Sequence, residues 1–140
     1  MGIKAVIAIL DSLPTKKQLC HGDPNPRNIL IQEGKAVVID WMNASIGNPE
    51  ADLAEYVVMI RYAILPPDLP HDVVDLFDSM RESIIGAFTN EYARLSNITY
   101  DEVDAWITPI AARRLSADAI SEDEKVLMVR EIRERLQKFQ

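Results

Sequence analysis

Apolar residues recur at Ile3, Val6, Ile7, Leu10 and Leu13. Steps of three and four predict a helix over 3–13, which Pro14 stops. Gln18 to Cys20 reads as a short extended piece, and His21 to Arg27 as a polar, proline-rich stretch. Two apolar runs follow, Ile29-Leu30-Ile31 and Ala36-Val37-Val38-Ile39, parted by Gln32-Glu33-Gly34-Lys35. Their lack of alternation predicts a hairpin of buried strands. A loop is expected from Trp41 to Gly47.

The rest of the chain carries helical signals. Asn48-Pro49-Glu50 reads as a helix start: Asn48 caps, Pro49 suits the first helical position, and Glu50 complements the positive end of the dipole. That helix is expected to run to about Leu65, where Pro66-Pro67-Asp68-Leu69-Pro70 breaks it. Residues 71–95 predict a long helix with Val74, Phe77, Met80, Ile84 and Phe88 on one side. Thr99 or Asp101 opens another to about Ala117, kinked near Pro109. Ser121 and Glu124 form a capping box for a last helix reaching the C-terminus. The fold class is α+β, mostly helical, with a small β-hairpin near the start and a helix-on-helix core.

Composition adds limits. The chain has 140 residues, 48% hydrophobic and 26% charged, which suits one soluble globular domain spanning 1–140 and excludes a disordered tail or a fibre. No window of 18 apolar residues occurs, so no membrane span is expected. A single cysteine, Cys20, excludes a disulfide framework and a cysteine metal knuckle. The N-terminus lacks the order of segments of a secretory signal, so a cytoplasmic setting is expected. Net charge is −7, unevenly spread: residues 40–124 hold 17 acids and 5 bases. That acidic middle argues against a nucleic-acid partner and would steer a cationic small molecule.

Residues 21–53 carry the chemistry. A carboxylate at Asp23 and an amide at Asn28 share one short loop at the mouth of the hairpin. Pairing across Glu33-Gly34 sets Asn28 opposite Val38, Ile39 or Asp40. In every register Asp40 lies within about two ladder positions, roughly 7–8 Å diagonally. Asp23, Asn28 and Asp40 thus converge at one end of a ribbon. Oxygen-only ligands with room for water suit Mg²⁺ rather than zinc.

Four blocks stand in order here: His21-Gly22-Asp23, Asn28-Ile29-Leu30, Val38-Ile39-Asp40-Trp41, and Gly47-Asn48-Pro49-Glu50-Ala51-Asp52-Leu53-Ala54. In type, order and approximate spacing they resemble the aminoglycoside phosphotransferase and choline kinase-like branch of the protein-kinase fold. The resemblance implies a protein-kinase-like C-terminal lobe. The catalytic loop and metal-binding hairpin would span 18–56 and a helical subdomain 57–140. It implies an ATP- and Mg²⁺-dependent transfer of a phosphoryl group to a small-molecule hydroxyl, with ATP not distinguished from GTP. Asp23 would be the catalytic base, and Asn28 and Asp40 the metal ligands. His21 would support the catalytic loop, and Asp52 would be the buried acid that ties the region together. Such chemistry asks for positioning and charge neutralisation more than covalent catalysis.

The chain also departs from that pattern. The family usually carries an apolar residue and then His-Pro-Gly after the catalytic aspartate, where this chain has Pro24, Asn25, Pro26 and Arg27. Two prolines stiffen the loop, and Arg27 sets a cation beside the metal site. No glycine-rich phosphate loop and no strand lysine precede His21. The expectation is therefore that the N-terminal lobe is absent, with the nucleotide-binding residues unknown and the enzyme incomplete. The alternative is a catalytically inactive, truncated remnant serving as a binding or dimerisation module. A lobe without its cover would expose Ile3, Val6, Ile7 and Leu10 of the first helix, so a homodimer is expected.

Overall fold

The structure is a computed structural model and describes residues 2–139. Helix α1 (Gly2–Ser12) leads into strand β1 (Gln18–Cys20), a single 3₁₀ turn (Pro26–Asn28), and strands β2 (Ile29–Gln32), β3 (Lys35–Val38) and β4 (Ser45–Gly47). Five further helices follow: α2 (Pro49–Tyr62), α3 (His71–Ser96), α4 (Tyr100–Asp104), α5 (Ile107–Arg114) and α6 (Glu122–Gln137). The class is α+β with helices predominant. No described helix is long and apolar enough to cross a membrane.

The hairpin forms as its residues dictate. Glu33 and Gly34 both take positive φ, and the strands pair Ile29 with Val38 and Leu30 with Val37. The buried strands expected from the sequence are not found. Leu30, Ile31, Val37, Val38 and Ile39 are all exposed. Alternate side chains of a strand point to opposite faces, and among the described residues no helix packs closely on either face.

Strand β4 was not anticipated, and it corrects the expectation that everything after the hairpin is helical. It pairs antiparallel with β1, Gln18 with Gly47 and Cys20 with Ser45. The pairing brings the start of α2 beside the loop from His21 to Asn28. Asn48 also departs from its expected role. Its side chain makes no cap hydrogen bond. Its Nδ2 donates to the Pro14 carbonyl at 2.8 Å, and its Oδ1 accepts from the Lys16 N–H at 3.2 Å. The amide thus clamps the α1–β1 connection, a tertiary use that outweighs a local cap.

The core is helix on helix. Leu53, Val57 and Val58 of α2 pack with Ile85 of α3, Val103 of α4, Ile107 and Ile110 of α5, and Met128 of α6. Tyr56 stacks on Phe88 with ring centroids 4.0 Å apart. Arg81 of α3 closes the C-terminal end of α2, donating to the carbonyls of Ile60 at 2.6 Å and Ala63 at 2.7 Å. These are carbonyls that a helix end leaves without intrahelical partners. The capping box at Ser121 and Glu124 forms as expected, and Thr99 with Glu102 builds a second one. The predicted kink near Pro109 is a full break at Ala105–Trp106, because Pro109 falls in the first turn of α5, where its missing N–H costs little.

Candidate active site

The loop from His21 to Asn28 hangs between β1 and β2, and three tethers fix it. The first is Asp52, in the opening turn of α2. Its two carboxylate oxygens accept from the His21 N–H at 2.5 Å and the Gly22 N–H at 3.1 Å. Asp52 is half-buried rather than fully buried. The second tether is the His21 ring, itself buried. The Asp23 N–H donates to Nδ1 at 3.1 Å, so the proton sits on Nε2, which donates to the Ile39 carbonyl at 2.8 Å. His21 thereby joins this loop to the end of β3, directly before Asp40. The Trp41 ring lies over it, 4.7 Å between centroids and tilted. Trp41 is half-exposed and caps the histidine instead of joining the core.

The third tether is internal. Asn25 holds the 3₁₀ turn by accepting from the Arg27 N–H at 2.8 Å. Its Nδ2 donates to Asp23 Oδ1 at 2.9 Å. Asn28 Nδ2 donates to the Asp23 carbonyl at 3.0 Å, with a longer 3.4 Å contact to Asp23 Oδ2. Two amides therefore orient the Asp23 carboxylate. The sequence reading counted Asn25 only as a departure from the family pattern. Its place two residues before Arg27, preceding a proline, was the available signal, since Asn in that position caps short turns through its side chain. The Arg27 side chain is exposed and forms no ion pair among the described residues.

Asn28 is buried, at 8% exposure. The Ile39 N–H donates to its carbonyl at 2.8 Å, so Asn28 faces Ile39 across the ladder. Of the three registers open from the sequence, this one sets Asp40 one residue past the pair. Asp40 is exposed and takes φ of 59°, a left-handed turn out of the strand. Among the described residues its carboxylate has no hydrogen bond or ion pair, and Asn28 Oδ1 accepts none. Asn28 Oδ1 and the Asp40 carboxylate thus stand unengaged at the same end of the hairpin. No group of three or more His, Cys, Asp or Glu gathers for a metal among the described residues. Any cation here would take most of its shell from elsewhere, as Mg²⁺ commonly does with water and phosphate.

Two buried acids of α2 back the site. Glu55 lies one turn beyond Asp52 and pairs with Arg113 of α5. Burial pushes its carboxyl upward, Arg113 pulls it back, and the neighbouring Asp23 charge adds a smaller upward push. Glu50 pairs with Lys16 through one oxygen, while its buried Oε2 has no partner. Cys20, beneath the loop, is buried, and desolvation followed by the Asp52 and Glu50 charges pushes its thiol up. A thiol pushed up in this way carries less of the reactive thiolate.

Asp52 carries the largest share of loop attachment by this count. Replacing Asp52 by Ala leaves two backbone N–H groups without acceptors, at about 1–3 kcal/mol for each buried donor. The expected result in urea denaturation is a loss of about 2–3 kcal/mol, with Asp52→Asn losing less because one oxygen remains. Equal stability of Asp52→Ala and the native chain would show that the loop holds without this carboxylate.

No curated protein and no solved structure matches the chain at a significant level. The model of the phosphotransferase enzyme family matches residues 3–106, which contain α1 but for its first residue, the loop from His21 to Asn28, both strand pairs and α2 to α4. That match covers most of the chain and every residue of the site built above, so the chain belongs to the phosphotransferase enzyme family.

Proposed function

We propose that this chain carries the chemical half of an ATP- and Mg²⁺-dependent phosphotransferase acting on a small-molecule hydroxyl. The observation that supports it best is the Asp23 carboxylate, oriented by the Asn25 and Asn28 amides, with Asn28 facing Ile39 across the ladder one residue before Asp40. Asp23 accepts the proton of the attacking hydroxyl, and the phosphoryl group passes to that oxygen as the nucleoside diphosphate leaves. A base within hydrogen-bond reach is the geometric requirement for such a step. Asn28 and Asp40 would hold Mg²⁺, which when bound neutralises charge on the phosphate oxygens. The oxygen-only donor set fits that ion.

The chain's own residues do the positioning. Asp52 and His21 hold the loop, so the carboxylate of Asp23 keeps one orientation. Exposed Leu30, Val37 and Ile39 beside the site offer an apolar surface suited to a nucleobase. Asp23, Asp40 and the wider acidic middle favour an acceptor with cationic character.

The metal assignment has a direct test. Mg²⁺ alone should stabilise the native chain slightly, and Mg²⁺ with ADP more so, in a thermal-unfolding series. Asp40→Ala should abolish both shifts and cost the metal-free chain no more than about 1–2 kcal/mol, the strain of a side chain at positive φ. A variant that responds to Mg²⁺ as the native chain does would remove Asp40 from the site.

A further inference from the structure

We propose that α1 pairs two copies of this chain about a two-fold axis, lying antiparallel to the partner's α1. Ile3, Ile7 and Leu10 are 79%, 49% and 43% exposed, and α1 buries no residue fully. At about 100° per residue these three fall within roughly 60° of one another, forming one exposed stripe beside Val6, which packs against the core. Ile3 and Ile7 of the stripe also line a concavity of about 500 Å³, with Val6, Leu115, Ile132 and Arg133. Apart from Arg133 these side chains are apolar, a surface that a chain in water covers where it can.

The charges on α1 identify the occupant. Lys4 and Asp11 are both exposed. Seven residues apart, they lie about 20° from each other on one flank of the stripe. The flank is therefore positive at one end and negative at the other. A two-fold axis in the contact plane, perpendicular to α1, keeps this flank on the same side and reverses its ends. Lys4 then meets the partner's Asp11, and Asp11 meets the partner's Lys4. The axis passes between residues 7 and 8, so Ile7 sits at the centre and the two grooves meet on the other flank. A parallel pairing sets this flank against the opposite one and leaves both charges alone. Self-complementarity of one patch is what a closed two-fold contact requires.

Light scattering at micromolar concentration should return twice the 15.8 kDa chain mass. Ile7→Asp should return the monomer mass with an unchanged circular-dichroism spectrum. Lys4→Asp alone and Asp11→Lys alone should each weaken dimerisation about tenfold through two exposed contacts, and the combined Lys4→Asp, Asp11→Lys chain should recover native affinity. Three results overturn the proposal: a native mass of 15.8 kDa, a folded Ile7→Asp dimer, or a combined variant as weak as the single ones. Because Lys4 and Asp11 are exposed, the exchange stays decisive if Ile7→Asp fails to fold.

Discussion

Gly22→Ala is expected to lower stability by about 3–5 kcal/mol, combining overpacking and left-handed strain. A Cβ built on Gly22 falls 2.3 Å from the Asn43 carbonyl oxygen and 2.9 Å from its carbon. Both are backbone atoms. They cannot swing aside as a side-chain tip can, because Ala44 is held to the Trp41 carbonyl at 3.0 Å and β4 begins at Ser45. Gly22 also has φ of 86°, where a side chain adds about 1–2 kcal/mol of strain. The peptide on its N-terminal side is held by Asp52, so relaxation of the loop would break that tether. Gly34 is the internal control. It has φ of 74° but nothing within 4 Å of its Cβ position. Gly34→Ala should therefore cost only the strain, about 1–2 kcal/mol. Urea denaturation of the two variants separates clash from strain. Equal losses would show that Asn43 yields, and that the loop is softer than its contacts suggest.

The second large effect concerns turnover. Residues 1–140 assayed alone with ATP, Mg²⁺ and a panel of small alcohols are expected to give no rate above that of Asp23→Ala. No glycine-rich strand–turn–strand and no strand lysine precede His21 to cover and orient the phosphates. Orientation of reactants is worth about 7–11 kcal/mol of barrier, and Asp23 has nothing to act on until the phosphate is held. Proton transfer by a positioned base contributes a further 10²–10⁴-fold at most, as an order of magnitude. The base alone therefore leaves the rate near background. Robust turnover, lost in Asp23→Ala, would mean that Arg27 and the hairpin orient the phosphates themselves. Retained Mg²⁺-dependent stabilisation alongside absent turnover would match a site with its ligands in place and its donor unheld.

Much of the site was legible before any coordinates, because its signals are local. Helix caps are written within four residues, as Ser121 with Glu124 shows, and Thr99 was one of the two helix starts offered. Proline boundaries at Pro14 and at 66–70 are equally local, since proline fixes its own φ and removes its own N–H. The Glu33-Gly34 turn restricts the hairpin register to a few choices, so Asn28 and Asp40 could be brought together from spacing alone. The order of the four blocks carried the phosphotransferase resemblance, and the family match spans them all.

What the sequence left open depends on atoms far apart along the chain. The β1–β4 pairing joins residues more than twenty positions apart, and three-residue strands carry no periodicity to announce it. That pairing, not the helix signal at Asn48-Pro49, delivers Asp52 to the His21 and Gly22 amides. Asn48 reads as a cap by propensity but serves the Pro14–Lys16 connection, because a buried amide needs partners on both ends and the tertiary fold supplies them. The hairpin strands read as buried because they are uniformly apolar, yet burial is decided by what packs on them, and no described helix does so closely. Asn25 shows the same division at single-residue scale. Its tendency to cap a turn is local, but that its amide also aims the Asp23 carboxylate follows only from the folded loop. Sequence by itself determined which groups are the candidates for the chemistry and which short elements bear them. Only tertiary structure decided which hydrogen bonds hold those groups in place, since chain closure and shared burial are properties of the whole fold.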